Sequence, residues 1–387
     1  MRTIALFICL MVAQPFAAAQ EPVAKTGANA LASGADSSAP TPDQAPDPYS
    51  GLKGRIDKLL DSKPLKKAKI GVHIIDLDTE STVYSRGGDK QLNPASNVKL
   101  ITAAAVLDKH GTAFTFRTEL RGERKGSTIP DNLYLWSNGD PFLHWKHLLE
   151  MAERLRRKGI REVSGDLVVD DTAFDDSFLP PAFDQKREQA PYRATAAAVS
   201  ASYSAMTIIV RPGKPGQKPK VSFDPPNNYA LVVNRATTVK TKKEIGDNPL
   251  ALDIKPADGR TKLIISGRTW SGGGATIRKR VHGPSMYAGY LMKSALESLG
   301  IEVTGTVRRQ KRPAKSTLLA GHTSHATPLL VSLMQKYSNN FMAEMLFKSL
   351  ALGKTPATWK EATENQKLFL DKTGLERKSY RLTNGSG

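Results

Sequence analysis

Ser96-Asn97-Val98-Lys99 sets a serine and a lysine one helical turn apart at the head of an apolar run: Leu100, Ile101, Ala103, Ala104, Ala105, Val106 and Leu107. Residues three apart on a helix share a face, so the lysine amine can reach the serine hydroxyl. Asn93 reads as an N-cap and Pro94 as the first helical residue, which puts Ser96 in the first turn. Backbone N–H groups left free at a helix start favour negative charge on a serine oxygen or an attacked carbonyl oxygen. A lysine drawn out of water gives up its proton more readily, and the neutral amine can then serve as base for the serine. This chemistry is nucleophilic acyl transfer. The same spacing recurs at Ser50-Gly51-Leu52-Lys53, but at the edge of a Pro-rich stretch with no apolar helix behind it.

A second group of residues belongs with the first. Ser338-Asn339-Asn340 runs directly into an amphipathic helical pattern, Phe341, Met342, Ala343, Glu344, Met345 and Leu346, so Ser338 and Asn340 project near a helix start. A hydroxyl there can relay a proton to a leaving amine, and a carboxamide can hold the substrate amide or the Lys99 side chain. Taken alone, a helix-capping serine with polar neighbours fits the same residues.

The chain resembles the penicillin-recognising serine D,D-peptidases, and within them the class C low-molecular-mass branch, the peptidase S13 or D-alanyl-D-alanine carboxypeptidase/endopeptidase family. The blocks that carry the resemblance keep the family's order over about residues 52 to 387. They are Gly71 to Asp76, Asn93 to Lys99, Leu133 to Pro141 and Gly165 to Asp171, then Thr327-Pro328-Leu329-Leu330, Ser338 to Asn340, Ala343-Glu344 and Asn384-Gly385-Ser386-Gly387. The resemblance implies that Ser96 is the nucleophile, Lys99 its base, Ser338 the proton relay and Asn340 the orienting amide. It also implies that Asp170 meets the free amine of a diaminopimelate side chain, although a strand-end turn carboxylate is the alternative there. The implied substrates are peptidoglycan stem peptides, with β-lactams trapped at the same serine and no cofactor or metal.

The family carries a third element, Lys-Thr/Ser-Gly, on the strand lining the site. Lys25-Thr26-Gly27 lies ahead of the nucleophile in low-complexity sequence, and Lys372-Thr373-Gly374 reads as the end of a helix beginning near Trp359. The third element, with the remaining strands and the closing helix, is therefore expected beyond Gly387. That leaves two alternatives to a D,D-peptidase: a serine β-lactamase, or a truncated wall-peptide binder without catalysis.

Met1-Arg2, the apolar residues 4–12 and Ala17-Ala18-Ala19 read as a signal peptide over residues 1–19, too short in its apolar core to span a membrane. The protein is thus expected to be exported, periplasmic or envelope-associated. Its single cysteine, Cys9, lies in that segment, which rules thiol catalysis and cysteine-held metals out of the mature chain. Residues 20–50, rich in Ala, Pro and Ser, read as a linker. The formal charge of +19 suits anionic envelope surfaces; with export and no RNP or zinc-finger pattern, nucleic acid is not expected.

The fold class expected is α/β (α+β): a transpeptidase-like domain with a helical cluster and an antiparallel sheet. Its two parts, 51–113 and 281–387, flank a β-rich inserted module at 114–280. Short strand-like runs fall at 114–120, 133–136, 167–169, 206–210, 230–233 and 263–266, with helices expected at 286–299, 329–335 and 359–370. Other motifs fail on context. Gly353-Lys354-Thr355 lacks the earlier glycine and strand of a P-loop, and the pairs His144/His147 and His322/His325 lack a metalloprotease carboxylate.

Overall fold

The computed structural model describes residues 47–185, 189–353 and 356–387. The expected signal peptide, most of the linker, Lys25-Thr26-Gly27 and Lys354-Thr355 lie outside these residues. The described chain falls into two units that divide between Asn93 and Pro94. In the first, helix α1 (Ser50–Leu60) accompanies an antiparallel pair, Val72–Ile75 and Thr82–Arg86. Tyr84 donates to Asp57 at 2.6 Å and Arg86 pairs with Asp61, which ties the hairpin to the helix. Helix α1 begins where the linker was expected to end, so the Ser50 to Lys53 motif does start a helix. That helix buries only Leu60, and Lys53 pairs with Asp47 at the surface.

The second unit, Pro94–Gly387, holds Ser96, Lys99, Asp170, Ser338 and Asn340. Its chain order of helices is α2 (Val98–His110), α3 (Trp145–Arg157), α4 (Pro284–Ser298), α5 (Thr327–Lys336), α6 (Asn340–Ser349) and α7 (Trp359–Lys372). Helix α6 is the hub of one core. Every residue from 341 to 349 is buried, and α2, α5 and α7 pack around it through Val106, Leu330, Met334 and Ala362. Each large apolar side chain taken out of water there contributes about 1.5–3 kcal/mol. Asn339 caps α6 by accepting from Met342 N at 3.0 Å, and Thr358 caps α7 by accepting from Glu361 N at 3.1 Å. A buried lysine, Lys348, is held within this core by Asp175 and lies 4.5 Å from the Trp359 ring centroid.

A second core is built on a five-stranded sheet ordered 307–309, 167–170, 133–137, 117–121, 318–323. The first three strands run parallel and the last two join antiparallel. Helices α3 and α4 pack on each other and against this sheet. Gly289 permits the close approach of α4, since a Cβ there would lie 2.6 Å from Val307 and 2.7 Å from Val169. The mixed helix-and-sheet class is as expected, with two differences. Helix α3, in a stretch read as strand-like, buries Leu148, Met151, Ala152 and Leu155 on one face of an otherwise charged sequence. The seam expected at residue 280 falls inside a single core: the strands at 307–309 and 318–323 complete the sheet begun at 117, α4 packs on it, and this core runs from Leu120 to Ala320. Phe174, Ala194, Ala196 and Ala198 instead join the α6 core.

Candidate active site

Ser96 sits in a single 3₁₀ turn, Ala95–Asn97, and the α-helix proper begins only at Val98. This replaces the expected cap at Asn93. Ala95 has a φ of 44°, a left-handed conformation that interrupts α geometry and turns Ser96 outward. Ser96 is exposed while Lys99, one turn on, is 1% exposed, and the Lys99 Nζ to Ser96 Oγ distance is 2.9 Å. The Ser96 hydroxyl thus faces the surroundings and its partner amine is withdrawn from water behind it. Burial lowers the Lys99 pKa to about 8, against a smaller opposing pull from the Glu344 carboxylate. An amine near pH 8 exchanges its proton with a hydroxyl at neutral pH far more readily than an exposed lysine.

A second wall comes from residues 384–387. Lys99 Nζ donates to Ser386 O at 3.1 Å, and Thr102 Oγ1 donates to Gly385 O at 2.8 Å. Gln366 of α7 donates in turn to Thr102, and Asn384 turns the segment by accepting from Ser386 N and Gly387 N. From the other side, Gly385 N donates to Glu344 Oε2 at 3.2 Å. Glycine is required at 385, because a Cβ would lie 2.4 Å from Phe347 Cβ and 2.8 Å from Ala343 O.

Ser338 lies in the exposed turn between α5 and α6, with a φ of 47°. Gln335, three residues earlier, donates to the Lys99 carbonyl at 2.8 Å, which anchors this turn to α2. Asn340 is the first residue of α6, and its amide donates to Tyr192 O at 3.0 Å. The cap of α6 is Asn339, not Ser338, which leaves the serine hydroxyl without the helix-capping role. Among the described residues, no hydrogen bond joins Ser338 or Asn340 to Ser96 or Lys99.

Asp170 stands apart from this group. It ends the strand at 167–170 with 2% exposure, accepts from Thr172 N and Oγ1 on one oxygen, and accepts from Arg312 N on the other, with Arg312 Nε at 3.5 Å. Both oxygens are engaged, and the carboxylate ties the loop at 312 to the sheet; its neighbour Asp171 is gripped by Arg309. Asp170 thus stands at a strand end with turn-type hydrogen bonds to Thr172. Lys372 ends α7 and pairs with Asp108 at 2.9 Å on the surface, so Lys372-Thr373-Gly374 is a helix terminus as expected. The two histidine pairs meet, His147 stacking on His322 at 4.2 Å, yet no three metal-ligating side chains are set to hold an ion among the described residues.

Sequence reasoning left Glu344 without a role, and missed Gln335, Thr102 and the Ser386 carbonyl. The signal for Glu344 was available: it is the one acidic residue in a helix that is otherwise apolar from 341 to 347.

A mixed α and β scaffold presents an exposed serine hydrogen-bonded to a buried lysine, and the fold is that of the penicillin-binding D,D-peptidases. Penicillin binding protein 4 (dacB) from Haemophilus influenzae matches with a TM-score of 0.67 at 24% identity, over 82% of this chain and 70% of that one. The same protein complexed with a novel β-lactam matches with a TM-score of 0.62 at 25% identity, over 82% and 69%. The chain belongs to the D-Ala-D-Ala carboxypeptidase 3 (S13) family, whose model matches residues 52–387. It is 34% identical over 357 residues to a D-alanyl-D-alanine carboxypeptidase of an Actinomadura species, covering 87% of this chain and 64% of the relative. To the D-alanyl-D-alanine carboxypeptidase DacB of Haemophilus influenzae it is 25% identical over 328 residues, covering 83% and 67%. The chain therefore spans about two thirds of the length of these relatives. No described helix is long and apolar enough to cross a membrane.

Proposed function

We propose that this chain is a serine D-Ala-D-Ala carboxypeptidase/endopeptidase that acts on peptidoglycan stem peptides and is acylated by β-lactams. The observation that carries the proposal is the 2.9 Å contact between an exposed Ser96 and a buried Lys99 with a pKa of about 8. Neutral Lys99 takes the hydroxyl proton as Ser96 Oγ attacks the carbonyl of the terminal D-Ala-D-Ala bond. The tetrahedral intermediate then collapses, D-alanine leaves with a proton relayed by Ser338, and water hydrolyses the acyl-enzyme by the same base. Asn340 orients the substrate amide. The carboxypeptidase names of the relatives support this substrate, and the β-lactam complex of the Haemophilus influenzae protein supports acylation by the drug. Such a substrate lies in the bacterial envelope, which agrees with the leader-like start at Met1-Arg2. The +19 charge would favour contact with anionic envelope polymers.

The test is release of D-alanine from a peptide ending in D-Ala-D-Ala. The rate should rise with pH up to about 8, because the base must be unprotonated, and should vanish in Ser96→Ala. Rapid turnover of nitrocefin without D-alanine release would instead make the chain a β-lactamase. Folded protein that does neither would be a wall-peptide binder.

A further inference from the structure

Among the buried titratable groups that the mechanism above leaves unused is Glu344. Glu344 is fully buried on α6, and burial drives its pKa up to about 7. One oxygen, Oε2, accepts from Gly385 N at 3.2 Å; the other, Oε1, has no hydrogen-bond partner among the described residues. A carboxylate withdrawn from water in an apolar helix needs a compensating charge. The buried side chains that α5 and α7 contribute are Thr327, Leu330 and Met334, and Trp359, Ala362, Gln366 and Leu370, none of them ionisable. On α6 itself Lys348 is held by Asp175. The turn at 191–193 brings Arg193, whose guanidinium donates to Phe183 O, and the turn at 202–204 brings Tyr203, whose ring lies against Phe341. The Ser386 hydroxyl and the Gly385 and Ser386 N–H groups favour the ionised carboxylate, and among the described residues helix α2 adds the one charge that does so, Lys99.

We propose that Glu344 is the positioning residue of the general base: it fastens Gly385, so that the Ser386 carbonyl meets Lys99 Nζ, and its charge sets the pH at which Lys99 gives up its proton. The inference rests on the acyl-transfer reading of Ser96 and Lys99 and deepens it. The geometry is a closed bracket. Glu344 holds Gly385 N, Thr102 holds Gly385 O, and Lys99 holds both Ser386 O and Ser96 Oγ. Electrostatic influence between two groups is mutual, so the carboxylate that Lys99 helps to ionise also retains the proton on Lys99. In order of rising pH, Glu344 loses its proton first, the pair is then doubly ionised, and Lys99 becomes a free base last.

Glu344→Gln keeps an acceptor for Gly385 N and removes the charge, whereas Glu344→Ala removes both. Two readouts are needed: the pH profile of Ser96 labelling by fluorescent penicillin, and the titration of the Lys99 Cε resonance in 13C-lysine protein, assigned by its loss in Lys99→Met. In Glu344→Gln both midpoints should move to lower pH, by about one unit. In Glu344→Ala, labelling at the optimum should also fall more than about tenfold. A residue that is merely structural would lower the rate without displacing the profile, so superimposable midpoints in wild type and Glu344→Gln overturn the proposal. Should neither variant fold, wild type alone decides. Its Lys99 resonance should titrate in two steps, the lower one reporting Glu344, and a single step contradicts the coupling. Unlabelled wild type with displaced Lys99 midpoints in Glu344→Gln would refute acylation while leaving the Glu344 role standing.

Discussion

Lys99→Ala should slow acylation of Ser96 by penicillin roughly a thousandfold, within the range spanned by removal of a positioned general base. The loss has two sources. The 2.9 Å acceptor of the serine proton disappears, and so does the Nζ bond that holds Ser386 O beside it. Lys99→Arg separates these effects, since a guanidinium keeps the charge and the donors but cannot act as a base near neutral pH. It should therefore be nearly as slow as the alanine variant. The alanine variant should also shed stability as pH rises. Glu344 already has a folded pKa above its unfolded value, so its contribution is complete below about pH 4.5 and is lost as pH rises through about 7. Without Lys99 the ionised carboxylate is opposed by no nearby cation, and that loss becomes larger. Stopped-flow labelling and thermal melts at about pH 4 and pH 8, on either side of that window, measure both effects. An arginine variant that labels at the wild-type rate would remove Lys99 from the base role.

Gly385→Ala carries the second large effect, although the position is remote in sequence from the nucleophile. The added methyl would lie 2.4 Å from Phe347 Cβ and 2.8 Å from Ala343 O, both on the buried face of α6, so the segment must lift away. Overpacking of this kind costs about 1–3 kcal/mol. The carbonyl of Ser386 then leaves Lys99, and a displacement of about 1 Å at a reacting group lowers rates on the order of a hundredfold. Gly374→Ala is the matching control. It has a φ of 80° and nothing within 4 Å of an added Cβ, so its strain should cost roughly 1 kcal/mol and leave labelling intact. Equal labelling rates in the two variants would mean that the 384–387 segment does not position the base.

The pairing of Ser96 with Lys99 was legible because the whole signal is local: two residues three apart, ahead of an apolar run. The cluster of α2, α5, α6 and α7 was legible in part, from helical periodicity, from the cap-like polar residues before α6 and from the glycine-ended stop of α7. Helix α3 was not, because its buried stripe is only His147, Leu148, Met151, Ala152 and Leu155 among charged residues, and the neighbouring strands set the expectation for the whole stretch. The seam at 280 failed for a different reason. A strand's sequence does not reveal its partner, and residues 318–323 pair with 117–121 from the far side of the expected module. The same limit hid the second wall of the site. Lys99 and Ser386 are 287 residues apart, and only the packing of α6 against α2 brings Glu344 and the Gly385 backbone beside the amine. Asp170 shows the converse: its place at a strand end was readable, whereas its commitment to Arg312 depends on a loop 142 residues away.

The most direct test of the acyl-enzyme assignment is intact-mass analysis of the folded chain after exposure to benzylpenicillin, followed by peptide mapping of the adduct. The expected result is one covalent penicilloyl group per chain, borne by Ser96 and lost in Ser96→Ala. Folded protein that gains no mass, or that carries the adduct on any residue other than Ser96, would contradict the assignment of Ser96 as the nucleophile.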